Sequence, residues 1–151
     1  MLDPFFMKAI IESAGKVASR VRLGNHELVF DQPAIVRDGE DRGPSPLDVL
    51  VASVAACAHY FGAAYLNSRG LDPSALAVEV EAEKERIPIA RVGHLALKIR
   101  VPPGLEEQHV AGILRAIKSC PAYGTLVRPP TIELTVDVPR AEDDAKARPA
   151  I

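Results

Sequence analysis

Apolar and polar residues alternate with two distinct periods along this chain, and the periods divide it into strands and helices. Lys8 to Glu12 is a short, strand-like opening. From Val17 to Leu23, Val17, Ser19, Val21 and Leu23 fall on one side and Ala18, Arg20 and Arg22 on the other. A period of two with one polar face predicts a half-exposed strand. Gly24-Asn25 is a turn signal, and His26 to Phe30 reads as the second arm of a hairpin. Asp31 to Pro46 is rich in Asp, Gly and Pro and reads as a loop.

The period then changes. Ser45 suits an N-cap and Pro46 a first helical turn, and a helix is predicted from there to Ser68. Leu47, Leu50, Val54, Cys57 and Phe61 recur at helical spacing, and Val51, Ala55, Ala58 and Tyr65 widen the stripe. Ala52, Ala56, Ala63 and Ala64 leave little polar surface, so this helix is expected to be buried on nearly every side. Gly70 is placed to end it. Ala75 to Arg86 and Gly93 to Val101 alternate again and predict an antiparallel pair, each with one wet face. Glu106 to Ser119 is an amphipathic helix with Val110, Ile113, Leu114 and Ile117 inward. Cys120 closes it, and the helix end is expected to leave that residue some freedom. Pro121 marks a break, and Ala122 to Val127 leaves room for another helical turn. Thr131 to Val138, with Ile132, Leu134, Val136 and Val138 in alternation, predicts a last strand.

Strand runs separated by helices predict an α+β fold, with antiparallel sheets packed around a long buried central helix. Residues 1–139 are expected to form a single domain, and the charged stretch 140–151 a disordered tail. A helix apolar on every side needs cover on every side, which one small domain does not offer. A second subunit is therefore expected.

Composition narrows the function. The chain has 151 residues, enough for a real core. Its 18 Lys and Arg against 20 Asp and Glu give no basic excess that would suggest nucleic acid. No apolar run is read as long enough to span a bilayer, so no membrane partner is expected. The start, Met1 to Phe6, lacks the basic and long apolar regions of a secretory signal. A cytoplasmic location is expected on that ground. Met7 is an alternative start.

Two cysteines, Cys57 and Cys120, remain as candidate chemistry. A static disulfide is not expected in a reducing cytosol. That leaves inert core thiols, a redox-active pair or a metal site. The absence of a C-x-x-C and the scattered histidines argue against zinc. Cys57 lies mid-helix, where burial raises a thiol's pKa and the helix N-terminus no longer helps. A nucleophile there needs a nearby cation, most suitably an arginine. His59 follows Cys57 by two residues and points to another side of the helix, so it forms no dyad with it. His26, His94 and His109 are assigned no role.

The segments Gly43-Pro44-Ser45-Pro46, Leu50 and Ala52-Ser53-Val54-Ala55-Ala56-Cys57 resemble the opening of the central helix in OsmC/Ohr proteins. Lys118-Ser119-Cys120-Pro121 resembles their second cysteine block, and Gly39 to Gly43 their glycine-rich approach loop. The resemblance spans roughly Lys16 to Val138. It implies an OsmC-like fold and an intertwined homodimer with active sites at the interface. It implies a peroxidase acting on organic hydroperoxides in oxidative-stress defence, without metal or organic cofactor. Cys57 would be the peroxidatic cysteine, Cys120 the resolving one, and an external thiol or dithiol the reductant. Arg37 matches the position of the family's loop arginine, with Arg42, Arg20 and Arg22 as alternatives.

One departure counts against turnover. Active members carry a Glu directly after the helix-opening proline, and here that position is Leu47, with the carboxylate one residue later as Asp48. One residue turns a side chain by about 100° around a helix. A rival expectation is therefore a non-catalytic dimer that binds a small apolar or thiol-reactive ligand.

Overall fold

The computed structural model describes residues 7–138. The readings made for residues 1–6 and for the tail 140–151 lie outside the described residues. Strands β1 (Ala9–Ser13), β2 (Ser19–Leu23) and β3 (His26–Phe30) form an antiparallel three-stranded sheet in chain order. Register pairs Val21 with Ile11 and Leu28, which puts their side chains on one face. Helix α1 (Pro46–Ser68) follows the loop, and β4 (Ala77–Glu85) pairs antiparallel with β5 (Arg91–Arg100) as a separate two-stranded sheet. Helices α2 (Glu107–Lys118) and α3 (Pro121–Val127) complete the described chain.

The start of α1 is fixed by local chemistry. Ser45 is extended, accepts from the Asp48 N–H at 3.2 Å and donates its hydroxyl to Asp48 Oδ2 at 2.6 Å. This reciprocal pair satisfies an N–H that the helix leaves unpaired. Gly70, at φ +69°, supplies the left-handed turn that ends the helix, a conformation few other residues adopt cheaply.

The core lies between α1, α2 and the β4–β5 hairpin. Ala58 and Leu66 of α1 meet Leu76, Ile113 and Ile117, with Val78, Leu97 and Ile99 of the sheet packed against them. Burying each of the large side chains contributes about 1.5–3 kcal/mol before entropy is counted. Gly62 brings α1 and the core together, since an added Cβ there would sit 3.0 Å from Leu76 Cδ2.

Helix α1 is not covered on every side within the chain, as expected of one small domain. Its buried residues Val54, Ala55, Ala58, Gly62 and Leu66 trace one stripe, and Tyr60 is 67% exposed. Its packing partners are α2, α3 and β4, which leave the other face uncovered. Three expectations need correction. First, α1 is by length and composition alone long and apolar enough to cross a bilayer. Asp48, Ser53 and His59 interrupt the span, so it is not one continuous apolar run, and a core helix of this kind passes the same test. Second, residues 131–138 form no strand, and Leu134 is 91% exposed. Alternation shows that a segment can pair, but a strand exists only when an edge accepts its hydrogen bonds. Third, Leu114 is exposed rather than inward, because α2 buries the narrower stripe of Gly112, Ile113 and Ile117.

Candidate functional site

The two cysteines come from different elements and meet. Cys57 lies mid-way along α1, half-buried. Cys120 is 1% exposed and, with Ser119, forms the two-residue junction between α2 and α3. Ser119 ends α2, and Cys120 is extended (φ −64°, ψ 131°) because Pro121 opens α3 directly after it. Its N–H donates to the Ile117 carbonyl at 2.9 Å, and its carbonyl accepts from the Gly124 N–H at 2.9 Å. Cys120 is therefore fixed at a helix junction, where the sequence suggested a freer helix end.

Both thiols are unoxidised, and Cys120 lies close enough to Cys57 to act on its thiol. Burial pushes the Cys57 thiol above its ordinary value, and the adjacent Cys120 thiol pushes it further. The backbone N–H of Ala122, in the first turn of α3, opposes both but does not outweigh them. Among the described residues, no cation acts on Cys57 in this chain. The arrangement is thus suited to forming a disulfide, but within one chain Cys57 is a protonated thiol at neutral pH.

The charged candidates lie elsewhere. Arg37 is 96% exposed, with Asp38 at 3.7 Å as its ion-pair partner. Arg42 donates to the Ala14 carbonyl at 2.6 Å and so ties its loop to the β1–β2 turn. Arg20 pairs with Glu27 at 3.3 Å, and Arg22 with Glu12 at 3.0 Å. Of the four, Arg37 is the least engaged. Asp48 is held by Ser45 and by Lys84 Nζ at 3.6 Å, and these contacts keep its carboxyl below the usual carboxylate range.

A groove of about 710 Å³ runs along the N-terminal half of α1. Leu47, Leu50, Val51 and Val54 form one wall, the start of β5 another, and Tyr123, Leu126 and Val127 of α3 the third. Neither cysteine lines the groove, although Val54 lies one turn before Cys57 and Tyr123 three residues after Cys120. Lys84, which bridges the hairpin to Asp48 at the helix start, escaped the sequence reading. Its signal was a lysine in line with Val78, Val80 and Ala82 on the apolar side of β4. His59 meets the Leu76 carbonyl at 3.3 Å, and His109 meets the Tyr65 hydroxyl at 3.2 Å. Among the described residues no three His, Cys, Asp or Glu side chains gather as a metal site would require.

Residues 39–135 match the family model for OsmC-like proteins. The chain belongs to the OsmC family. No curated protein matches the sequence. Among solved structures, a protein from Psychrobacter arcticus 273-4 superposes with a TM-score of 0.70 at 18% identity, over 83% of this chain and 91% of that one. An organic hydroperoxide resistance protein OsmC from Legionella pneumophila gives 0.63 at 17% identity, over 85% and 93%. An OsmC-like protein from Mycoplasma pneumoniae gives 0.66 at 16% identity, over 85% and 91%. At these identities the likeness establishes the fold: a mixed α+β arrangement of antiparallel sheets and three helices shared with OsmC-like structures.

Proposed function

We propose that this OsmC family member reduces organic hydroperoxides with Cys57 and Cys120. The observation that carries the reading is the juxtaposition of two free thiols drawn from separate elements. The name of the Legionella pneumophila relative, an organic hydroperoxide resistance protein, supports the same chemistry.

In this reading Cys57 loses its proton and attacks the distal oxygen of the peroxide. The O–O bond breaks, the alkoxide takes up a proton and leaves as the alcohol, and Cys57 becomes a sulfenic acid. The Cys120 thiolate then attacks the Cys57 sulfur, water leaves, and a disulfide forms. An external dithiol restores both thiols by exchange and is itself oxidised. No metal or organic cofactor enters these steps. The apolar groove formed by the neighbouring parts of α1 and α3 would favour an alkyl hydroperoxide over hydrogen peroxide, since each buried CH₂ contributes about 0.8 kcal/mol.

The working form is a homodimer in the cytoplasm. Its support is the uncovered face of α1, the open face of the β1–β3 sheet and the unpaired alternating segment 131–138. A second copy would also bring a cation to Cys57, and Arg37 is the arginine least committed within its own chain. The test is consumption of an alkyl hydroperoxide with a dithiol reductant. Turnover should vanish in Cys57→Ser, and in Cys120→Ser a sulfenic acid should persist and react with dimedone. Equal turnover in Cys57→Ser would remove the proposal.

A second reading is favoured by one observation. Leu47 lines the groove where active family members place a Glu, so the groove could serve to bind a small apolar or thiol-reactive ligand without turnover. A slow Cys57 alkylation with an elevated pKa in the dimer would select that reading.

A further inference from the structure

Asp31 is a buried carboxylate, 1% exposed, that the thiol chemistry does not use. It opens the loop between β3 and α1. Its Oδ1 accepts from the Gln32 N–H at 2.8 Å, and its Oδ2 accepts from the Glu40 N–H at 3.2 Å and the Arg42 N–H at 3.1 Å. One side chain therefore holds both ends of the loop. Burial alone would push this carboxyl up, but the three backbone donors outweigh it and keep the group ionised.

The rest of the loop is built around that anchor. The Asp31 N–H donates to the Pro44 carbonyl at 3.3 Å, and the Asp41 N–H to the Gln32 carbonyl at 3.0 Å. Asp38 and Asp41 adopt positive φ, 65° and 55°, which only a well-determined surrounding maintains. Gly39 has no room for a side chain, since a Cβ would lie 2.5 Å from the Pro33 oxygen. Outside, Lys16 meets Glu40 at 2.7 Å and Arg42 reaches the Ala14 carbonyl, so the base is fixed to the first hairpin. The tip is the opposite. Ile35 is 95% exposed and Arg37 96%. A locked base carries a tip that its own chain leaves bare.

We infer that Asp31 is a positioning residue: it fixes loop 31–44 so that Arg37 is presented in one geometry to the Cys57 thiol of a second copy. The inference rests on the reading of Arg37 given under the proposed function. A loop fixed before association avoids ordering its residues at the moment of contact. Fixing the loop matters because a cation lowers a thiol's pKa only when it is held within a few ångströms of the sulfur.

The experiment follows the rate of Cys57 alkylation against pH, by mass spectrometry of its peptide, in the full chain at dimer-forming concentration. Amide hydrogen exchange of residues 32–42 is measured on the same samples. Arg37→Ala should slow alkylation at pH 7 about tenfold, the loss of thiolate for a one-unit rise in pKa. Asp31→Asn should slow it by a similar factor and speed exchange of the Glu40 and Arg42 amides. Asp31→Asn combined with Arg37→Ala should be no slower than either alone. Gly39→Ala, which opens the loop without touching the carboxylate, should match Asp31→Asn and stands in for it where that variant does not fold. If Asp31→Asn and Gly39→Ala free the amides yet leave Cys57 at the wild-type rate, while Arg37→Ala slows it, the inference is overturned and the arginine assignment stands. If the amides stay protected in Asp31→Asn, Asp31 is not the lock. If Arg37→Ala changes nothing, the arginine assignment fails and takes the inference with it.

Discussion

The α1–α2–β4 region and the β1–β3 sheet treat the same kind of residue differently. In the first, Leu66, Leu76, Ile113 and Ile117 close on one another and exclude solvent. In the second, Ile10, Ile11 and Leu28 remain partly exposed, and residues 131–138 add four more bare apolar side chains. The thiol pair belongs to the closed region, whereas all four candidate arginines belong to the open sheet and the loop that follows it. The comparison teaches that sulfur and cation are kept on separate parts of one chain. In the proposed dimer, covering the open region and completing the site would be one event.

The closed region should show the largest response to a single substitution. Leu66→Ala removes a side chain with no exposure and should cost about 2–5 kcal/mol, read as a lower urea midpoint at unchanged slope. The open region should instead reveal itself through concentration. If a second copy covers it, the melting temperature should rise with protein concentration, with about 1.4 kcal/mol gained for each tenfold increase. A melting temperature independent of concentration would show that the exposed face is not an interface. Ser45→Ala deletes the α1 cap and should cost about 1 kcal/mol in either oligomeric state, measured by the same urea titration.

The smallest change is expected near neutrality. Asp31 and Asp48 have carboxyls held below their ordinary value, so their stabilisation is present above about pH 4 and is lost as pH falls through the lowered values. Cys57 has the opposite sign. In the separate chain its raised thiol favours the folded state fully below about pH 8.5, and that contribution is lost as pH rises through the native value. Urea midpoints measured at concentrations too low for a dimer should therefore be flat from about pH 5 to 8 and fall on both sides. Asp31→Asn should blunt the acid limb, and Cys57→Ser the alkaline one.

Much of the architecture was legible before the structure. The Ser45 cap, the span of α1, both hairpins and α2 follow from caps, turn residues and periodicity, which are local signals. Cys120 was legible as a cysteine before a proline, but not as the N-cap of α3, because a two-residue junction between helices leaves no mark in a hydrophobic pattern. The strand expected at 131–138 failed for a related reason: alternation specifies a face, not a partner edge. At the site, the cysteines could be found from their flanking residues. The Ala122 N–H on Cys57, the Lys84 bridge to Asp48 and the anchoring by Asp31 could not, since each joins parts of the chain brought together only by folding.

The most direct measurement adds one equivalent of an alkyl hydroperoxide to the reduced protein, without any reductant. The account predicts one alcohol per chain and an intact chain lighter by two hydrogens, with peptide mapping locating a Cys57–Cys120 disulfide. Unchanged peroxide beside two alkylatable thiols would contradict it.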